Sequence, residues 1–432
     1  MPPAPFGSAS VSRELSTMKL EEMKDAAARE EHIVLFLPYL RLKRNYSVAG
    51  VDFVPLRTGD GKVTPGLESA TGPLDKILSG YIDRHGKPLQ NCVVATVPGK
   101  GWDIEKSDFP SVRWAASLLF LASWSCNSYY GFGFGHYVNS SNFRLVGQGF
   151  RGSMPGCIAI STRRRDGSSM DGGYKHGEFK FSLPLQVSIR DAASVDERFL
   201  AALDGAQVSG AVTIERLRTA LPFIELANTD DEFMTEHNEA ILMASAFEQL
   251  FDADASKYKL STRFADLFKQ FGHMSVGDAM EARPGITIDK SDPARAAAQP
   301  NWFVHQKWIE ELYDVRNKVV HTGDHKSRSW GWDIAEHLVM SAHVLRLVVK
   351  LMLEQEKHYE LTDDDRAACI ATDPLLIATQ WVDDRDERDD DKAPSWQKIL
   401  SKTKLNVSFD RAWENYKKNH PDAVAEDVPG SS

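Results

Sequence analysis

The sequence predicts an α+β protein of two domains: a mixed N-terminal domain with an antiparallel sheet, followed by an all-α helical bundle. Three observations predict it. At 432 residues the chain exceeds one core of ordinary size. From about residue 31 to 190, short apolar or alternating runs bounded by Gly, Pro, Asn or Asp recur at strand lengths. After about Ser194 the apolar residues recur at three- and four-residue steps instead, the period of a helix with one buried face.

Taken in order, residues 1–30 are Pro/Ser-rich and then charged, which predicts a loose arm ending in a short helix. The strand-like runs are "HIVLFLPYLRL", "GVDFVPL", "NCVVATVPG", "NFRLVGQGF", "GCIAIST" and "EFKFSLPLQVSI". One helix, Val112 to Ser125, is expected to interrupt them. Residues 31–193 therefore form the expected α+β domain, assigned a sensor or regulatory role. Helices are then expected over 213–226 and 262–271, with longer ones in "DEFMTEHNEAILMASAFEQLFD", "NWFVHQKWIEELYDVRNKVV" and "DIAEHLVMSAHVLRLVVKLMLEQ". Their apolar faces run through Phe233, His237, Ala240, Ala244, Phe247 and Phe251; through Trp302, Ile309, Leu312, Val315 and Val319; and through Ile334, Leu338, Ala342, Leu345, Val349 and Met352. "ARPGITIDKSDPARAAAQP" reads as a loop because of its three prolines. The helical domain is expected to span 194–380, and 381–432 an acidic linker and C-terminal tail.

Composition excludes several classes. Hydrophobic residues make up 42% and charged residues 26%, near the soluble globular average. No apolar run reaches the roughly 20 residues of a membrane span. The N-terminus lacks a basic stretch followed by an apolar one, so no secretory leader is expected. Cys92, Cys126, Cys157 and Cys369 are far apart in the chain, which suits a reducing cytoplasm better than a disulfide framework or a zinc knuckle. The net charge of −10 argues against broad capture of nucleic acid. Half of that charge sits in "DDRDERDDD", Asp383 to Asp391, a run expected to be solvated.

Several motifs invite chemistry and reduce to structure. "GQGFRG" (Gly147 to Gly152) matches the dinucleotide fingerprint, but Pro155 and a β-rich run follow where a helix is needed, so a turn between strands is expected. "YYGFGFGHY" (Tyr129 to Tyr137) reads as a Gly-rich loop rather than a base-stacking platform, and "TRRRDG" (Thr162 to Gly167) as a basic hairpin tip. His321, Asp324 and His325 have ligand-type chemistry, but three groups bunched at a helix end make no closed site, so no metal and no cofactor is expected. No G-x-S-x-G motif and no P-loop is present.

One segment remains, "YDVRNKVVHTGDH", from Tyr313 to His325. It closes a long amphipathic helix, with Gly323 placed to end it. Arg316 and His321 stand five residues apart, about 140° round an ideal helix. Chance supplies such a spacing about once in a chain of this composition, so context must carry the reading. Upstream, Glu248 sits inside the otherwise apolar "AILMASAFEQLF"; downstream lies another long helix. This order resembles the HEPN superfamily, and most closely its Apea-like branch of bacterial and phage-defence proteins, over about residues 230–355.

That resemblance implies a metal-independent endoribonuclease in which Arg316 and His321 cut RNA, Asn317 orients the phosphate or the imidazole, and Glu248 and Asp314 support them. It also implies a homodimer whose two motifs face each other in one composite site. The residue types suit the reaction independently. RNA carries its own nucleophile in the 2′-OH, a histidine can exchange its proton near neutral pH, and an arginine fork can hold the phosphate where charge builds. The expected partners are RNA, a second copy and a phage or cellular trigger, in the cytoplasm, with no membrane among them. The alternative is a non-catalytic HEPN module that dimerises and binds as an adaptor, with Arg316 a buried cation paired with Glu248.

Overall fold

The computed structural model describes residues 31–57, 67–83, 85–126, 138–151, 157–163, 166, 168–175, 180–182, 192–229, 231, 233–322, 330–378 and 396–419. The N-terminal arm, the "YYGFGFGHY" run, the acidic run at 383–391 and most of "EFKFSLPLQVSI" lie outside them. The described residues fall into two compact units, one drawn from 1–113 and 144–185, the other from 114–143 and 186–432. The first is an antiparallel sheet structure and the second mostly helical, so the chain is mixed α and β as expected.

The first unit is built on strands β1 (Glu31–Leu37), β2 (Tyr46–Val48), β3 (Val51–Arg57), β4 (Asn91–Thr96) and β5 (Val146–Arg151), in the spatial order β2-β3-β4-β1-β5. Every neighbouring pair is antiparallel, with Phe36 opposite Val94 and Val54 opposite Val94 on its other side. Ala49 (φ 50°) and Gly50 (φ 71°) make the two-residue turn between β2 and β3, whose hairpin twist requires both residues in the left-handed region. On one face, Val34, Phe36, Val54, Leu56, Cys92 and Val94 pack with Leu74, Ile77 and Leu78 of helix α1 (Glu68–Leu78) and with Tyr81. Strands β6 (Cys157–Arg163) and β7 (Ser169–Lys175) form a separate antiparallel pair, with Arg163 opposite Ser169, so the basic "TRRRDG" run spans their connection.

"GQGFRG" is not a turn. Gly147 to Arg151 lie within β5, paired with β1 from Leu35 to Glu31. A Cβ at Gly147 would come within 3.0 Å of Leu35 and 3.1 Å of the Phe109 ring, so the glycine lets the strand lie flat against them.

The second unit takes in residues 114–143, so the units do not divide at 193. Helix α2 (Phe109–Trp124) explains this: Trp114 Nε1 donates to Gln207 Oε1 (2.8 Å) and Trp124 Nε1 to Asn228 Oδ1 (2.9 Å), both partners being in helices of this unit or at their ends. The remaining helices are α3 (Glu197–Ser209), α4 (Val212–Ala227), α5 (Glu236–Phe251), α6 (Lys257–Phe268), α7 (Val276–Ala282), α8 (Pro293–Ala298), α9 (Val304–Thr322), α10 (Ile334–Gln355), α11 (Asp363–Ile377) and α12 (Trp396–Asn419). Side-chain caps set several starts. Asp196, Thr235, Ser256 and Ser275 each accept from the backbone N–H three residues on. Asp333 with Glu336, and Thr362 with Asp365, make reciprocal capping boxes. Helix α10 is central, burying Val344, Leu345, Leu347, Val348 and Leu351 together with the polar His343 and Lys350.

Some expectations need correcting here. Helix α5 begins after its Thr235 cap, so Phe233 stands outside it and is 80% exposed. Trp302 likewise precedes α9. The stretch read as a loop contains α8, which Asp292 caps and Pro293 opens, a start signal its prolines concealed. Residues 396–419 are not tail but the 24-residue helix α12.

Candidate functional site

Helix α9 carries Tyr313, Asp314, Arg316, Asn317 and the backbone of His321, and its burial explains how the helix is held. Val304, Trp308, Ile309, Leu312, Tyr313 and Val315 are buried, as an amphipathic helix requires. His305, Lys307, Glu310 and Glu311 are buried too, so each needs a partner. His305 Nδ1 lies 2.7 Å from Asp373 Oδ1, and the other oxygen of Asp373 accepts from the backbone of His273 and Met274. Glu311 accepts from the Trp332 amide at 3.0 Å.

Near the C-terminal end of α9, the Arg316 guanidinium is fixed from three sides. Its Nη1 donates to Asn317 Oδ1 at 2.8 Å, its Nη2 lies 3.5 Å from Glu248 Oε2 on α5, and it sits 5.3 Å above the ring centre of Tyr313. The Arg316 side chain keeps 24% of its surface exposed against 11% for Glu248, so the cation is the more open side of the contact and the acid the more enclosed. Burial, and then the neighbouring Glu248 carboxylate, push the Tyr313 hydroxyl above its usual range, which keeps the ring beneath the cation neutral.

His321 lies in the last turn of α9, five residues and about 7.5 Å along the axis from Arg316. Its side chain, with Gly323, Asp324 and His325, lies outside the described residues. Arg316, Asn317 and Glu248 are therefore brought together, and Tyr313 joins them. The signal for Tyr313 was present, since a position three residues back shares a helix face with Arg316.

Asp314 belongs elsewhere. Two residues turn a helix by about 200°, which carries Asp314 away from Arg316. Its carboxylate accepts from Lys257 Nζ at 2.9 Å. That ammonium also lies 3.3 Å from Glu310 and 3.5 Å from Asp289. Arg295 approaches Glu310 to 2.5 Å and Lys307 to 3.7 Å. Neither Glu310 oxygen accepts a well-directed hydrogen bond, so its compensation is ionic. Three carboxylates face three cations, and the charges balance. Burial works against the Lys257 charge, but Asp314 and Glu310 outweigh it and hold that ammonium above its ordinary range.

Asp289, Glu310 and Asp314 also offer oxygens within 4.8 Å of one another, as a divalent cation would require. Lys257 already supplies the positive charge there, and a metal would have to displace it. Comparison with known proteins finds no matching family model, no matching curated protein and no matching solved structure.

Proposed function

We propose that the helical unit is a HEPN-type, metal-independent endoribonuclease, acting on RNA in the cytoplasm as a homodimer and serving as an effector in bacterial defence against phage. The observation that supports this most is the placement of Arg316. It is oriented by Asn317, Tyr313 and Glu248, yet its side chain stays 24% exposed, near the helix end that carries His321. A guanidinium held this way can receive a phosphate without first paying for its own ordering.

In this reading Arg316 binds the scissile phosphate and stabilises the charge that builds on its non-bridging oxygens. His321 takes the 2′-OH proton or returns one to the leaving 5′-oxygen, and Asn317 orients the guanidinium. The products are a 2′,3′-cyclic phosphate and a 5′-hydroxyl, and DNA is not cut because it lacks the nucleophile. The sheet unit is assigned to restraint, since an unrestrained ribonuclease would poison its own cell.

A second reading has an observation of its own. The approach of Arg316 to Glu248 is what a purely structural ion pair would show, and it favours a non-catalytic module that dimerises and binds as an adaptor. Induced expression, with total-RNA integrity followed before and during phage infection, separates the two. Loss of RNA degradation in folded Arg316→Ala and His321→Ala chains supports the nuclease. Unchanged behaviour of both variants against an active wild type, or an inert wild type in infected cells, supports the adaptor.

A further inference from the structure

Helix α12 shows solvent a face that a free helix end does not need. Leu405, Phe409, Trp413 and Tyr416 are 55%, 64%, 52% and 45% exposed. Successive steps of four, four and three residues keep them within an arc of about 80° over roughly three turns. The helix meets α11 on another side. Lys404 pairs with Asp364 at 2.9 Å and Arg411 with Asp363 at 2.6 Å, about 145° round from the centre of the apolar arc. Trp396 anchors the start and is 2% exposed. The stripe is therefore left uncovered by the packing that fixes the helix.

Charge identifies what could cover it. Lys398, Lys402, Lys404, Arg411, Lys417 and Lys418 against Asp410 and Glu414 give this one helix a net +4, of which Asp363 and Asp364 of α11 offset two, inside a chain of net −10. Two copies of α12 laid together would repel, so a second copy is a poor occupant. An anionic surface is a good one.

The ring geometry narrows the choice. Trp413 and Tyr416 stack on each other, centres 5.6 Å apart and planes 8° from parallel, and Lys417 Nζ lies 5.6 Å from the Trp413 ring centre. Rings stacked between positions three apart each cover one face of the other, which leaves less open ring surface for a base than two separate rings would. Ring edges beside lysines suit the headgroup layer of a bilayer, where tryptophan and tyrosine sit with their apolar bodies inward.

We propose that α12 binds the surface of an anionic phospholipid bilayer. It lies in the membrane plane, with Leu405, Phe409, Trp413 and Tyr416 among the acyl chains and Lys398, Lys402 and Lys417, which share that side of the helix, at the phosphates. Sequence reading set membranes aside because no segment is long enough to cross one, and no described helix is long and apolar enough to do so. A helix lying on the surface is a different mode and needs neither length nor uniform apolarity.

The test is co-sedimentation of the full chain with phosphatidylglycerol–phosphatidylcholine vesicles and with phosphatidylcholine vesicles alone. The expected result is sedimentation with the anionic vesicles only, weakened by added salt. It should fall more than about tenfold in affinity in the Phe409→Glu/Trp413→Glu double variant. These positions are exposed, and an unchanged melting temperature checks the fold. Lys402→Glu/Lys417→Glu, which leaves the four apolar side chains in place, should weaken binding less and reduce its salt dependence. Four outcomes overturn the proposal: no sedimentation of the wild type, equal sedimentation with neutral vesicles, an unaffected double variant, or a double variant whose defect is instead a lost dimer or lost binding to a single-stranded RNA oligonucleotide.

Discussion

Helix α9 carries two charge clusters less than two turns apart, and they are built differently. Around Glu310, three cations and three carboxylates are gathered from α6, α8, α9 and the segment between α7 and α8, and Glu310 itself is 1% exposed. Around Arg316 there is one cation and one acid at 3.5 Å, with an aromatic ring beneath and the cation's side chain 24% exposed. Charge balances in both, so balance does not separate them. The first gathers several partners round an enclosed acid, whereas the second is a single longer contact to a more open cation. A buried charge alone therefore says little about function; how many partners hold it, and how closely, says more.

The sharpest way to break this contrast is Glu310→Gln. The substitution leaves Arg295, Lys257 and Lys307 facing two carboxylates around the enclosed position of Glu310. Removing one member of a buried network costs about 3–5 kcal/mol, a fall in melting temperature on the order of 10 °C for a unit of this size. Calorimetry of the full chain would show it in the transition of the helical unit. A melting temperature unchanged to within a degree or two would mean the cluster is hydrated and not integral to the fold.

A buried group that avoids charge instead of balancing it extends the contrast. Burial, aided by the positive Arg346, pushes the His343 ring down from 6.5 to about 3, and the neutral ring meets the Ala368 carbonyl at 3.2 Å. Above pH 6.5 the ring is neutral whether the chain is folded or not, so it adds no pH dependence. Below that, the unfolded chain takes up a proton that the folded one refuses. Stability then falls by roughly 1.4 kcal/mol per pH unit until about pH 3. Urea midpoints for wild type and His343→Gln should converge as the pH is lowered, by about 2 kcal/mol between pH 6.5 and pH 5. Parallel curves would show that His343 titrates normally, through an opening to water.

These clusters also mark what the sequence could tell. Helices α5, α9 and α10 were legible because long apolar stripes at helical period leave little else to form. So was the pairing of Glu248, since a lone acid on an apolar face must find a cation. Helix α1 was not, because "ESATGPLDKIL" contains a Gly-Pro pair that signals a turn, and packing of Leu74, Ile77 and Leu78 on the sheet overrides it. Strand β7, "SMDGGYK", has a Gly-Gly pair and becomes a strand only through its ladder with β6. Helix α12 carries an apolar arc that no element among the described residues covers, so no core stripe could be read from it. The Lys257 cluster joins positions 57 residues apart at its widest and obeys no local period. Only the fold assembles it.

The smallest effect on stability belongs to the motif itself. Arg316→Ala removes a partly solvated ion pair and a ring contact, and should cost below about 1 kcal/mol, since such pairs contribute little where water can replace the partner. Glu248→Gln should cost a similar amount, because the guanidinium it strands is the more exposed side of the contact, 24% against 11%, and water can partly replace the acid. Arg316→Lys keeps the charge but loses both the fork and the planar stack on Tyr313, so it should melt like the wild type while failing wherever the fork is used. Parallel melting curves and RNA-degradation assays of the three variants read both quantities at once. If Arg316→Ala instead lowered the melting temperature as much as Glu310→Gln, the two clusters would be alike in kind. Arg316 would then be another committed structural charge, with nothing left over for a phosphate.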